Sequence, residues 1–294
     1  MATLRELKGR IGSVASSEKI TGAMKMISSA KMHKAEGALR RLQPYRSTIE
    51  SIIANLLSAD VPFTSPLVED RPLQRVTLVV LGSDDGLCGA YNVNLAKFVE
   101  NHIDQLFANH GSDITIDIVA VGKKMAKACQ RLARANVYVI ESTEVNSKSE
   151  GEQVKSFEAN LRHQFLNGDT DCVEILYMHF RSAGKQVATA DKFLPLSPAN
   201  FSTEKATATA RPYLFEPNAA DIFAGVLPMY LLSMAQEVFI ENRASEQAAR
   251  VMAMQSANDN AKKLLDQLRL EYNKLRQQSI TTELLDIVGG QVRD

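Results

Sequence analysis

The densest group of chemically capable residues in this chain is Gly82-Ser83-Asp84-Asp85-Gly86-Leu87-Cys88-Gly89. It follows the apolar run Val76 to Leu81, and open α/β sheets hold their ligands where strands end. Asp84 and Asp85 are a candidate metal pair, and Cys88 is a candidate nucleophile. A thiol needs a base or a positive neighbour to become the reactive thiolate, and no His stands near Cys88 in sequence. Ser83, Asp84, Gly86 and Gly89 therefore read as a structural strand-to-helix turn. Elsewhere there is no GxGxxG, GxxxxGK[ST], HExxH or GxSxG, which removes the simplest nucleotide, zinc and serine-hydrolase readings. His33, His102, His110, His163 and His179 lack metal-ligand spacing. Cys88, Cys129 and Cys172 are odd in number and far apart, against both a disulfide framework and a zinc site. The expectation is a chain with no catalytic residue, no cofactor and no metal.

The elements around this turn alternate in the manner of an α/β domain. Val76 to Leu81 is a β-branched apolar run, followed by helix over Asn94 to Phe107, strand over Ile114 to Val121 and the basic helix Lys123 to Ala135. Val137 to Ile140 is a short third strand, Val154 to Leu166 a helix, Val173 to Phe180 a strand, and Gln186 to Leu194 a last strand after the turn at Gly184. That order predicts a mostly parallel open sheet with an antiparallel edge.

Long helices are expected at both ends. Thr3 and Glu6 have the spacing of a capping box, and Leu4, Leu7, Ile11, Val14, then Ala38, Leu42, Tyr45, Ile49, Ile52 and Leu56, recur at helical steps. Pro44 is expected to kink this helix locally. Gly9, Gly12, Gly22 and Gly37 lie within it and suggest close approach by another backbone, since glycine inside a helix costs roughly 1 kcal/mol against alanine. At the other end Asn218 and Asp221 form an N-cap with an acid in the first turn, and no proline after Pro228 interrupts the chain up to Gly289-Gly290. Such a helix runs about 105 Å at 1.5 Å per residue. Met254, Ala257, Ala261, Leu264, Leu268 and Leu275 mark its seam. The two helices are expected to pair antiparallel as an intramolecular coiled coil, with the sheet domain standing apart. The expected divisions are 1–58 for the first coil helix, 73–197 for the α/β domain, 198–217 for a loop and foot segment, and 218–290 for the second coil helix.

Charge and targeting signals narrow the class. Lys plus Arg equal Asp plus Glu at 34 each, which removes a whole-chain argument for nucleic acid, yet residues 1–46 carry ten basic groups and three acidic ones. Charge so placed suggests a partner. The N-terminal residues lack the apolar core of a secretory signal, so export is not expected. The most apolar window, 222–240, contains Pro228, Gln236 and Glu237, falls short of the ~20 apolar residues of a bilayer span, and reads as a buried helix.

Three stretches carry a resemblance. Lys19-Ile20-Thr21-Gly22-Ala23-Met24-Lys25-Met26-Ile27 through Ala30-Lys31-Met32 resembles the γ subunit of rotary ATP synthases. So do Ser245 to Arg250, Ala257 to Ala261, Tyr272-Asn273-Lys274 and Arg276 to Thr281. Ser83 to Gly89 is similar to that family's SDRGLCGG turn. The matches span the chain in the right order. Asp85 stands where the turn usually has Arg, and Gly22 where the first helix usually has Lys.

The resemblance implies a non-catalytic central-stalk rotor. Its terminal helices would form a shaft inside a ring of α and β subunits that hold the nucleotide sites. Its α/β domain would be a foot meeting an ε-type subunit and the membrane c ring, with δ as a further subunit of the complex. Rotation of the c ring would drive ATP synthesis coupled to proton transport, and hydrolysis would reverse it. Carried onto this sequence, Lys19, Met24 and Lys25 would face the moving acidic segment of β, Arg250 would lie opposite, and Arg276, Gln277 and Thr281 would meet loops of α and β. Tyr213 would belong to the foot near the c ring. The location implied is peripheral, on the cytoplasmic face of a bacterial inner membrane or the matrix side of an organelle inner membrane. The residues themselves leave two other readings open: a nucleotide- or metal-dependent α/β enzyme using Asp84, Asp85 and Cys88, and a basic coiled-coil protein that binds nucleic acid.

Overall fold

The computed structural model describes residues 3–58, 65–197, 216 and 218–291. The foot segment 198–217, including Tyr213, therefore lies almost wholly outside the described residues. Helix α1 spans Leu4–Ser58 and helix α5 spans Ala219–Gln291. Between them lie β1 (Arg75–Leu81), α2 (Tyr91–His110), β2 (Thr115–Val121), α3 (Lys123–Cys129), β3 (Val137–Glu141), α4 (Glu152–Asn167), β4 (Cys172–Ser182) and β5 (Lys185–Leu194). Both expected caps are formed. The Thr3 amide donates to Glu6 Oε2 at 2.9 Å while the Glu6 amide donates to Thr3 Oγ1 at 3.3 Å, so two orphan donors are satisfied reciprocally. At α5 the Asp221 amide donates to Asn218 Oδ1 at 2.8 Å. Neither Pro44 nor Pro228 ends its helix.

The chain divides into two compact units, one of residues 1–29 with 250–294 and one of residues 30–249. The division falls inside both long helices and not at 58, 73, 197 or 218.

In the unit of residues 30–249 the strands lie in the order β3-β2-β1-β4-β5, parallel except for the β4–β5 hairpin. Because β1, β2 and β3 step outward in one direction, right-handed crossovers set α2 and α3 on one face. There Leu95, Val99, Ile103 and Met125 pack on Val76, Leu78, Ile116 and Ile118. The chain then returns through α4 to β4 on the other face. On that face Val79, Leu81, Val173 and Ile175 share a core with Phe157 and Phe165 of α4, Ile49, Ile53 and Leu56 of α1, and Phe223, Leu231 and Phe239 of α5. The sheet thus does not stand apart: parts of both long helices supply one of its two covers, since a parallel sheet must be covered on both sides. The apolar window of α5 passes for a membrane span by length and composition, and half of it is buried in the protein. The basic helix expected to reach Ala135 ends at Cys129 and gives way to a short 3-10 turn, Gln130–Leu132. A tight turn closed by Arg134 and Val137, with Asn136 in the left-handed region at φ 63°, takes the backbone out of the helix before β3.

In the unit of residues 1–29 and 250–294 the two helical segments pair antiparallel. One stripe of α1, Leu4, Leu7, Ile11, Val14, Glu18, Thr21, Lys25 and Ser28, and one of α5, Val251, Met254, Asn258, Ala261, Leu265, Leu268, Tyr272 and Leu275, are buried or half-buried throughout. Steps of three and four alternate strictly, a 3.5-residue period that keeps one stripe facing the partner in a left-handed supercoil. Met254, Ala261, Leu268 and Leu275 of the expected seam lie on it; Leu265, 6% exposed, takes the place of Leu264, 39% exposed, and Asn258 that of Ala257. The same alternation continues along α1 through Leu39, Leu42, Arg46, Ile49, Ile53 and Leu56, leaving Tyr45 and Ile52, both expected on it, exposed. Of the four helical glycines only Gly22 meets another element. A Cβ there would lie 3.3 Å from Asn258 Nδ2, whereas nothing lies within 4 Å of a Cβ at Gly9, Gly12 or Gly37.

Candidate functional site

The turn after β1 is a knot of polar bonds. Asn92, in the first turn of α2, accepts from the Ser83 amide at 3.1 Å and donates to Ser83 Oγ at 2.7 Å. Ser83 Oγ in turn donates to the Asp85 carbonyl at 2.9 Å. Asp84 accepts from the Lys123 amide at 3.0 Å and from both the amide and hydroxyl of Ser147 at 2.8 Å. One carboxylate so joins the β1 turn, the start of α3 and the loop after β3. Partial burial pushes the Asp84 carboxyl up, but the bonds from Lys123 and Ser147, with Lys148 nearby, outweigh it and hold its pKa below the ordinary value.

Asp85 points elsewhere and pairs with Lys148 at 2.8 Å in an exposed ion pair. Where the resemblance has an Arg, this chain has an acid with its own lysine. The bond to Asp85 also raises the Lys148 pKa, against a small opposing effect of burial. Asp84 and Asp85 do not converge, and among the described residues no three His, Cys, Asp or Glu side chains form a metal-holding group. Cys88 is 3% exposed, and its Sγ has Ser83 Oγ, the Asp85 carbonyl and Asn92 Nδ2 at 3.7 to 3.9 Å, none of them a base. Burial pushes the Cys129 and Cys172 thiols up to about 12, so both are protonated and inert at neutral pH. The geometry of the turn is that of a joint.

Asn242 completes the joint, and Arg46 ties the two long helices together elsewhere in the same unit; both lie outside the expected set. Asn242 on α5, 1% exposed, donates from Nδ2 to the Gly82 carbonyl at 3.0 Å and accepts the Tyr91 hydroxyl at 2.6 Å. Arg46 of α1 pairs with Glu237 of α5 and with Glu50 at 2.9 Å, its guanidinium 5.9 Å from the Tyr230 ring centroid. Neither had a signature in the sequence beyond a polar residue inside a helical pattern.

Asp84 gives the joint a pH dependence of known sign. A carboxyl with a depressed folded pKa contributes stability that is fully present above its unfolded value, about 3.9, and is lost as pH falls through the folded value. Asp84→Asn keeps the shape and removes the charge. Its melting temperature should fall below wild type at pH 7, and the gap should close below about pH 4. Thermal melts across a pH series measure this, and a gap constant with pH removes the charge from the account.

The expected partner residues of the coil differ in exposure. Lys19, Arg276, Gln277 and Thr281 are exposed, and Met24 and Lys25 are half-buried, Lys25 on the seam itself. Arg250 is 5% exposed. Large apolar side chains are exposed as well: Ile20 and Ile27 on one stripe, and Ile280, Leu284 and Ile287 on another, between 47% and 62% exposed.

Comparison with known proteins agrees with this arrangement. The family model described as ATP synthase matches residues 3–292. The ATP synthase gamma chain of Bacteroides thetaiotaomicron is 38% identical over 302 residues, covering all of both chains. That of Polynucleobacter asymbioticus is 35% identical over 291 residues, covering 99% of each. In fold, the chain is similar to one in the Euglena gracilis mitochondrial ATP synthase, with a TM-score of 0.64, 18% identity, and coverage of 98% of this chain and 93% of that one. A chain in the central stalk and c ring of the Tetrahymena thermophila enzyme gives a TM-score of 0.55 at 22% identity, covering 81% of this chain and 99% of that one. A match over nearly the whole length, with relatives above 30% identity from end to end, leaves one assignment: the chain belongs to the ATP synthase gamma chain family.

Proposed function

We propose that this chain is the central rotor shaft of a proton-translocating ATP synthase, itself without catalytic groups, which carries rotation of a membrane c ring to an α/β ring where ATP is made. The observation that carries this reading is the surface of the paired helices. Their apolar seam is turned inward, yet Ile20 and Ile27 remain outside on a helix that also exposes Lys19 and Lys31, and Ile280, Leu284 and Ile287 are exposed on the last turns of α5. Exposed apolar stripes on a self-contained coil call for an enclosing partner. Water-exposed cations add contacts worth at most about 1 kcal/mol each, which steer and release. A surface of that kind suits an axle that must touch several neighbours in turn and lock to none.

The α/β domain 73–197 is the foot in this reading, meeting an ε-type subunit and the c ring together with the loop and foot segment 198–217, with δ elsewhere in the same complex; 1–58 and 218–290 are the helices of the shaft, parts of which also cover the sheet. Lys19, Met24 and Lys25 contact the β subunits near the mouth of the ring, and Arg276, Gln277 and Thr281 meet α and β loops deeper inside. Tyr213 contacts the c-ring side of the foot. Arg250 lies opposite the first-helix residues, on the second helix, and belongs to the same contact with the ring. The complex sits peripherally on its membrane, at the cytoplasmic face in a bacterium.

A tagged copy should co-purify with α, β, ε, δ and c subunits together; recovery of the chain alone would sink the proposal. Residue roles are read separately. Lys19 and Lys25 stand about 120° apart around the helix, so a rotating shaft presents them in sequence. Lys19→Glu, Lys25→Glu and Met24→Lys should each leave assembly intact and lower proton pumping per ATP hydrolysed in membrane vesicles. If pumping and hydrolysis fall in equal proportion, these residues are structural and have no special part in coupling.

A further inference from the structure

Between Val14 and Met32 the seam of α1 carries no large apolar side chain; its positions are Glu18, Thr21, Lys25 and Ser28. Apolar packing alone gives this stretch little preference for one alignment over another. A heptad seam has a further weakness, because sliding one helix by seven residues returns apolar positions to apolar positions. A slip of seven along the seam keeps part of it apolar: Leu4 and Leu7 would meet Leu268 and Leu265 in one direction, and Ile11 and Val14 would meet Leu275 and Tyr272 in the other.

One polar contact does not tolerate such a slip. Asn258, 7% exposed, donates from Nδ2 to the Glu18 backbone carbonyl at 2.7 Å and lies 3.3 Å from Thr21 Oγ1. The Thr21 hydroxyl is held by the carbonyls of Ser17 and Glu18, at 2.9 and 3.0 Å, which leaves its oxygen to accept from Asn258. The amide has room because residue 22 is glycine. A Cβ there would stand 3.3 Å from Nδ2, closer than ordinary contact, so a longer side chain would contend for the same space. Seven residues either way, Asn258 would meet Val14 or Ser28, with no notch beside it and, at Val14, no polar side chain to receive its amide.

We propose that Asn258, seated in the notch left by Gly22, fixes the axial register of the two helices in this unit. The consequence follows from the wild-type contact: with Asn258 opposite Thr21, antiparallel geometry sets Val14 opposite Leu265, Ile11 opposite Leu268 and Leu7 opposite Tyr272, all buried or half-buried positions. A single buried Asn on a coiled-coil seam is known to specify alignment while lowering stability. The proposal concerns the coil and stands whether or not the chain rotates. In a shaft, the same contact resists sliding of one helix along the other under torque.

The test uses the full chain with nitroxide labels on Ser16→Cys and Lys263→Cys, both exposed; the three native cysteines are buried and do not compete. Pulsed EPR on the otherwise wild-type chain should give one narrow distance distribution. Asn258→Leu should raise the melting temperature, because the seam becomes more apolar, and at the same time add a second distance population consistent with an axial slip of about 10 Å, one heptad rise. Gly22→Val should broaden the distribution by displacing the amide, and Asn258→Ala should do so without the gain in melting temperature. A lower melting temperature with an unchanged narrow distribution in Asn258→Leu would mean that Asn258 only stabilises, and the register assignment would be wrong. Should that variant not fold, an unchanged distribution in Asn258→Ala or Gly22→Val overturns it equally.

Discussion

Gly82→Ala should leave residues 30–249 without a stable fold. A Cβ at this position would lie 2.3 Å from Met125 Cβ and 2.5 Å from its Cγ, distances that real atoms do not reach. The backbone cannot back away, because the Gly82 amide donates to the Val121 carbonyl at 3.0 Å and its own carbonyl accepts from Asn242 at 3.0 Å. Met125 cannot yield either: it is fully buried in the core formed by α2, α3 and the sheet, and its Cβ is fixed to the α3 backbone. Overpacking ordinarily costs 1–3 kcal/mol; with no direction of relief the cost here should reach about 4 kcal/mol or more, a large share of a stability of about 5–15 kcal/mol. Gly122→Ala should do comparable damage by a different route. Its φ of 102° is strained for any L side chain, and a Cβ would stand 2.8 Å from the Ser83 carbonyl carbon and oxygen. Gly86→Ala is the control, since its nearest neighbour is Lys124 Cε at 4.0 Å. Soluble yield and thermal melts followed by circular dichroism decide it; a Gly82→Ala chain melting within a few degrees of wild type would show that the β1–α3 approach is looser than described.

Asn242→Ala should cost about 2–4 kcal/mol, from lost packing and from buried polar groups deprived of partners. Asn242 is where α5 is bonded to the end of β1 and, through Tyr91, to the first turn of α2. Truncation removes the side-chain acceptor of the Tyr91 hydroxyl, leaving it the Asn242 backbone carbonyl at 3.3 Å, and takes the donor from the Gly82 carbonyl. Tyr91→Phe removes one of these bonds and should cost about half as much or less. A double-mutant cycle should then show a coupling of about 1 kcal/mol or more, beyond the few tenths expected of independent sites. Additive effects would show that the two side chains do not act through their mutual bond.

Much of the secondary structure was readable because its signals are local. Thr3 with Glu6 and Asn218 with Asp221 satisfy helix-end donors within four residues, so type and spacing suffice. Val76 to Leu81 is a buried parallel strand, and a strand covered on both faces must be apolar along its whole length. Gly184 between two β-rich runs marked the hairpin.

Other features were decided only in three dimensions. A period of 3.5 and one of 3.6 differ by less than one residue over several turns, and hydrophobicity cannot choose between neighbours such as Leu264 and Leu265; the partner helix chooses. Nor can it place polar residues on a seam. Glu18, Thr21, Lys25, Arg46 and Asn258 all read as outward-facing until a facing helix supplies a carbonyl, a notch or a carboxylate. The joint at Gly82 brings together Asp84 with Ser147 and Gly82 with Asn242, separated by 63 and 160 residues. The sequence alone determined which segments are helix or strand, because those preferences act between near neighbours. The tertiary structure decided which polar groups meet, because a buried donor is satisfied by whatever folding carries to it, at any distance along the chain.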